Sequence, residues 1–239
     1  MCKLLKSKVV GSTIKLVENL LAHIAVRLCR QIVLQEKLFS YYEYPKIRLL
    51  YGDFRLDRDY SDQHIWGLSK ESRAIRGEIV NIVKKVEQKI DRVLLPGEYN
   101  ADKNYFSKLF GIDVGNIVTA GIGGDVNYEW NFDEEPPEMG EFDFILSQAM
   151  LEHLLNPYKH VAELSQMLNP GGRLIIHTVM PGFWYHRYPI DCVRFYPDWF
   201  EKIAERLNLL VCDRYIGGLR ICYTLQKSEK ANKKERASE

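Results

Sequence analysis

Residues 142–181 read FDFILSQAMLEHLLNPYKHVAELSQMLNPGGRLIIHTVMP, from Phe142 to Pro181. Phe142 to Leu146 is a short apolar run entered from an acidic, proline-containing segment, and Leu174 to Val179 is a second. Between them Val161, Leu164 and Leu168 recur at helical spacing. Asn169-Pro170-Gly171-Gly172 then ends the helix, since proline blocks continuation and glycine supplies the turn. Strand, helix and strand in this order predict two parallel strands joined by a right-handed crossover. That is half of an open α/β sheet, a design that binds ligands beyond the C-terminal ends of its strands.

Working outward, Ser69 to about Ile90 predicts a helix with Ile75, Ile79, Ile82, Val83, Val86 and Ile90 on its buried stripe. Arg92 to Leu95 and Asn116 to Ala120 read as strands. Val126 to Trp130 is a third candidate, although a parallel crossover normally takes a dozen or more residues and only Gly121 to Asp125 precede it. A loop that runs across the sheet edge in place of a crossover helix is expected there. Glu134-Glu135-Pro136-Pro137-Glu138 reads as a solvated loop. Tyr196-Pro197-Asp198 opens a helix with Phe200, Ile203, Ala204 and Leu207 on one side, and Leu209 to Tyr215 and Arg220 to Leu225 read as a final antiparallel pair.

The flanks differ in character. Ile14, Val17, Leu21, Ile24, Leu28 and Ile32 make an amphipathic helix over about Ser12 to Leu38. Residues 1–40 hold seven Lys and Arg against two Glu, in a chain of net charge +1, which leaves residues 41–225 acidic overall. A helix that packs on the domain or pairs with a second copy is one reading; peripheral contact of residues 1–38 with an anionic membrane surface is the other. Phe39 to Trp66 is rich in Tyr, Phe and Arg without a clean period and reads as an irregular segment packed over the sheet or the substrate mouth, with stacking of a base or sugar on its Arg and Tyr as the other reading. The residues after Lys227 form a polar tail, expected to be disordered. The expected division is an extension over 1–68, the α/β domain over 69–227 and the tail over 228–239. Five scattered cysteines, with no Cys-x-x-Cys spacing, read as reduced thiols of a cytoplasmic protein, with membrane association through the N-terminus left open. No secretory signal or spanning segment is read, and His23, His64 and His160 show no metal-ligand spacing. The acidic middle argues against broad nucleic-acid binding.

The phrase FDFILSQAMLEHLLNP…ELSQMLNPGGRLIIHT resembles the core of the class I S-adenosylmethionine-dependent methyltransferases, densely over Phe142 to Thr178 and more weakly over Arg92 to Ala120 and Tyr185 to Lys227. The resemblance implies a Rossmann-like, seven-stranded, mostly parallel sheet with helices on both faces. It implies S-adenosylmethionine as cofactor and methyl transfer, without a metal, to a small-molecule or glycan acceptor, most simply a hydroxyl. It places the cofactor loop at Pro96 to Asn100. The family's Gly-x-Gly-x-Gly keeps only Gly97 there, with Tyr99 and Ala101 at the later glycines and Leu95 in place of the preceding acid. Glu98 or Asn100 is the replacement polar group. Gly121 stands where the family has a ribose-binding acid, with Asp125 the nearest substitute and a turn residue as its plainer reading. Asn131 or Asp133 falls where the adenine amino group is met, and Gln148 and Ala149 close the fourth strand beside the cofactor. His153 is either a base that orients the acceptor or a structural histidine at a helix start. In H-R-Y-P-I-D-C-V-R-F, His186 is a candidate base with Asp191 as its orienting partner, or Asp191 and Arg194 simply pair on the surface. His177 is expected to be satisfied inside its strand. The altered cofactor loop keeps a second reading open, a non-catalytic methyltransferase-like binding or scaffolding protein.

Overall fold

The computed structural model describes residues 44–52, 55–56, 77–86, 89–183, 185–187, 189–217 and 219–229. The amphipathic helix expected over Ser12 to Leu38, most of the aromatic segment and the polar tail lie outside them. The elements are α1 (Tyr44–Tyr51), β1 (Arg55–Leu56), α2 (residues 77–84), β2 (Val93–Pro96), α3 (Lys103–Phe110), β3 (Ile117–Gly121), β4 (Tyr128–Glu129), β5 (Phe142–Gln148), α4 (Pro157–Gln166), β6 (Leu168–Val179), α5 (Pro197–Arg206), β7 (Leu209–Gly217) and β8 (Arg220–Lys227). The sheet order is β1-β7-β8-β6-β5-β2-β3-β4. β8 is antiparallel to both its neighbours and every other pairing is parallel. The seven expected strands are present, and β1 adds an eighth at the edge.

Alternate residues of each central strand face opposite layers, as strand geometry requires. Val93, Leu95, Phe144, Leu146 and Ile175 meet Ile79, Ile82 and Val83 of α2 and Phe106 of α3. Leu94, Ile145, Leu174 and Ile176 meet Val161 and Leu164 of α4 and Phe200 and Ile203 of α5. Buried on both faces, these strands read as continuous apolar runs. The Phe200 ring stacks on Tyr223 of β8 at 4.5 Å, which seats α5 on the antiparallel strand.

Three local expectations are corrected, and the loop expected in place of a crossover helix is found. Leu168, expected on the helix, opens β6, so Asn169-Pro170-Gly171-Gly172 lies within that strand. Residues 44–51 are helical, where no period was legible. Tyr51 Oη donates to Asp198 at 2.5 Å, and that bond, with burial and the Asp198 and Glu201 charges, pushes the phenol up to about 12. The helix expected to reach Ile90 ends at residue 84. β4 is reduced to two residues yet pairs parallel with β3, Ala120 opposite Tyr128. Residues 122–127 manage this by folding tightly: Gly123 and Gly124 take φ of +65° and +82°. Asn127 N then donates to Thr119 O at 3.1 Å and Asn127 Oδ1 accepts from Thr119 N at 3.0 Å. A crossover helix is dispensable when so little of the second strand has to pair.

Candidate functional site

β5 is followed by Ala149, a non-glycine residue at φ +47°, whose N–H donates to His177 O on β6 at 2.8 Å. This left-handed step turns the chain into the short 3-10 turn Leu151–His153. Glu152 is thereby carried into the protein, with its side chain fully buried. Its Oε2 accepts from Thr178 Oγ1 of β6 at 2.6 Å, and its backbone carbonyl accepts from Cys192 N at 2.8 Å. The second contact draws the segment after β6 across the turn.

That segment brings His186, Asp191 and Arg194. His186 Nε2 lies 3.8 Å from Glu152 Oε1 and its Nδ1 lies 3.6 Å from Asp191 Oδ2. Both separations are ion-pair distances, longer than direct hydrogen bonds. The His186 backbone N–H donates to Asp191 Oδ2 at 2.7 Å. Arg194 grips the same carboxylate with both arms, Nη2 to Oδ2 at 2.7 Å and Nη1 to Oδ1. Asp191 is 1 % exposed in its side chain, so the pair is no loose surface contact. His153 Nδ1 sits 2.5 Å from Ile190 O. A carbonyl can only accept, so Nδ1 carries the proton and the neutral ring keeps its lone pair on Nε2. The rings of His153 and His186 stand 5.0 Å apart at 81°.

The carboxylates stay charged for distinct reasons. For Glu152, burial pushes upward, yet the facing His186, the hydrogen bonds from Thr178 and its own backbone, and the nearby His177 hold it below the usual carboxylate range. For Asp191, the Arg194 hydrogen bonds dominate and lower it, against burial and with help from the His186 amide.

The structure thus gathers His153, His186, Asp191 and Arg194, and adds Glu152 and Thr178. Glu152 is legible in the sequence only as the middle of Leu-Glu-His. Thr178 carries no sequence signal, since its partner is 26 residues away.

The other named residues form a second group on the same edge of the sheet. Gly97 N donates to Ala120 O at 2.8 Å, and a Cβ on Gly97 would lie 2.5 Å from Met150 Sδ, at φ +83°. Glu98 Oε1 accepts from Gln148 Nε2 at 3.0 Å, joining the ends of β2 and β5. Asn100 Nδ2 donates to Asp125 Oδ1 at 2.8 Å, and Asn100 N donates to Asp125 O at 2.8 Å, joining the ends of β2 and β3. The Tyr99 ring lies against Gly124, where a Cβ would be 3.0 Å away.

Asn131 and Asp133 are placed otherwise. Asn131 bonds Glu134 and the Asp133 amide within its own turn. Asp133 accepts from Leu155 N at 3.0 Å and Asn156 N at 2.9 Å, ahead of α4. Their side chains are committed to loop structure.

His177 is also corrected. It is buried, but neither ring nitrogen has a hydrogen-bond partner. It borders a cavity of about 340 Å³ whose wall includes Glu98, Tyr105, Phe106, Gln148 and Arg220. Burial, reinforced by Arg220 and opposed by Glu152, depresses its pKa to about 3.

An open α/β sheet with one antiparallel strand slotted near its edge, and loops converging beyond its parallel strands, defines the architecture of the class I methyltransferases. Residues 96–211, just under half of the chain, match the family model described as "Methyltransferase domain". Over these residues the chain is similar to methyltransferase domains. Among solved structures it is similar to Streptomyces venezuelae DesVI, at 13% identity and a TM-score of 0.53, covering 71% of this chain and 98% of that one. It is likewise similar to a putative sarcosine dimethylglycine methyltransferase from Galdieria sulphuraria, at 13% identity and a TM-score of 0.52, covering 80% and 99%. Both bear on the fold alone. A stretch of 48 residues is 42% identical to a tRNA U34 carboxymethyltransferase of Hahella chejuensis, covering 20% of this chain and 15% of that protein. Among the described residues no helix is long and apolar enough to cross a membrane.

Proposed function

We propose that this protein transfers a methyl group from S-adenosylmethionine to a hydroxyl of a small-molecule or glycan acceptor. The observation that carries this reading is the meeting of His153, His186, Glu152 and Asp191 beyond β5 and β6, strands of the same sheet whose β2 and β3 end in joined loops. Cofactor-holding falls to the backbone around Gly97 and to Glu98, Asp125, Gln148 and Ala149. The fit rests on their polar groups: the Glu98 carboxylate meets the Gln148 amide, and a cavity opens between Glu98, Gln148 and the orphaned nitrogens of His177.

Bound there, S-adenosylmethionine supplies a sulfonium methyl: the methyl–sulfur bond breaks, the acceptor oxygen–methyl bond forms, and the thioether departs. The hydroxyl must lose its proton as it attacks. His186 takes that proton in this reading. Asp191 faces its Nδ1 at 3.6 Å and accepts from its backbone amide, and Arg194 holds Asp191. His153 presents Nε2 to the acceptor, with its ring fixed by Ile190 O. Positioning of this kind is the protein's main contribution to an in-line displacement.

Calorimetric titration with S-adenosylmethionine and S-adenosylhomocysteine is the first test, followed by transfer of labelled methyl to a panel of hydroxyl acceptors. Binding plus transfer that falls on the order of a hundredfold in His186→Ala supports the proposal. A folded protein that binds neither ligand overturns it and favours the scaffolding reading, which the single surviving glycine of the cofactor loop suggests. The short match to the tRNA U34 carboxymethyltransferase supports a second acceptor class, so tRNA belongs in the panel. The acidic charge of residues 41–225 weighs against it.

A further inference from the structure

We infer that Glu152, His153 and His186 together hold a divalent transition-metal cation of the zinc class, with a position left open for the acceptor oxygen. The inference deepens the reading above and rests on it for where the acceptor lies. One ligand atom from each of the three residues lies within 4.8 Å of the others. Two imidazoles and one carboxylate suit zinc-like ions, whereas magnesium and calcium prefer oxygen alone.

Two further observations point to an ion. Glu152 Oε1 belongs to a fully buried side chain, has no hydrogen-bond partner, and faces His186 Nε2 at 3.8 Å. A buried carboxylate oxygen in that state is costly unless something positive meets it. Each ligand is also held from behind, as metal ligands usually are. Ile190 O takes the His153 Nδ1 proton and leaves Nε2 as that ring's ligand atom. Asp191 faces His186 Nδ1 and is itself gripped by Arg194. Thr178 holds the other oxygen of Glu152. Tetrahedral bonds of about 2.1 Å set ligand atoms about 3.4 Å apart, so the 3.8 Å pair closes by a small shift.

Three protein ligands leave room for a hydroxyl, which becomes more acidic when bound to the ion. With the ion in place the imidazoles are ligands, and the hydroxyl proton leaves to water. The acceptor oxygen is then activated without a free histidine base.

The test uses full-length protein treated with a chelator, then titrated with cobalt(II) as a spectroscopic probe. One equivalent should bind, giving visible absorption bands of a four- or five-coordinate ion that zinc(II) removes on addition. The double variant His153→Ala/His186→Ala should bind cobalt at least a hundredfold more weakly. If it does not fold, His153→Gln, close in size, should weaken binding at least tenfold. No saturable cobalt binding by a folded sample, or unchanged affinity in the variants, overturns the metal site. S-adenosylhomocysteine titration of the same samples keeps the two ideas apart. Its binding without cobalt binding leaves methyl transfer standing and removes the ion, and the reverse result removes the methyltransferase reading.

Discussion

At the residue scale, the buried histidines set an acid limit on the fold. His160 and His177 both have pKa values depressed from 6.5 to about 3, each chiefly by burial. Lys159 adds to the effect on His160 and Arg220 to that on His177. The unfolded chain takes up these protons as pH falls through about 6.5, whereas the folded chain refuses them until about 3. Their contribution is therefore fully present above the unfolded value and is lost as pH falls through that window. The loss is up to about 1.4 kcal/mol per pH unit for each histidine. Urea midpoints should fall steeply from pH 6.5 to 4.5, and neither ring should titrate above pH 5 by NMR in the folded protein. A ring that does so contradicts the burial argument. His177 was legible as a strand residue but not as one without a partner, and His160 was not separable from the other histidines, since burial depends on what covers a side chain. Gly97 was separable as a residue, and the structure adds a second reason for it: Met150 and a positive φ demand glycine there whether or not a ligand approaches. Gly97→Ala should cost about 1–3 kcal/mol in urea unfolding, with cofactor affinity falling as the loop shifts.

At the element scale, loops hold what strand and helix patterns cannot announce. β2, β3, β5 and α4 were legible within a few residues because their apolar runs and spacing are local, whereas β6 begins at Leu168, inside the segment that read as a turn. The link from β3 to β4 was legible only as an anomaly, and α1 not at all, because its partners lie far along the chain. The same limit applies to Asp133, whose sequence position suggested adenine and whose carboxylate holds the backbone ahead of α4. Asp133→Ala should lose about 1 kcal/mol of stability, as a lost cap does, with S-adenosylhomocysteine affinity unchanged by calorimetry. A tenfold loss of affinity at unchanged stability would return Asp133 to the cofactor site. The segment after β6 depends on Arg194 and Asp191. Arg194→Ala leaves Asp191 charged and enclosed, and should cost about 3 kcal/mol. Arg194→Lys keeps the charge but not the fork, and should cost less. Equal losses in the two variants, measured by urea unfolding, would mean that the two-armed geometry is irrelevant.

At the scale of the whole molecule, the site exists because one edge of the sheet collects the ends of β2, β3, β5 and β6. Resemblance placed that edge; only the fold could bring Glu152 onto Thr178 and His186 onto Glu152. The joint between the β2 and β3 loops depends heavily on Asn100, which bonds Asp125 twice and accepts from Thr119 Oγ1 at 2.8 Å. A ligand that spans these loops stabilises the folded state by mass action, about 2.7 kcal/mol at a hundred times its dissociation constant. For a chain of this size that is roughly 5–11 °C in Tm. S-adenosylhomocysteine at such a concentration should therefore raise the wild-type Tm by about that much. Asn100→Ala removes its side-chain bonds and should lower the ligand-free Tm by several degrees. It should also shrink the ligand-induced rise at the same ligand concentration, because the loops no longer arrive joined and part of the binding energy goes into ordering them. A full-sized rise in Asn100→Ala would mean that the ligand sits elsewhere on the edge and that the joint serves the fold alone.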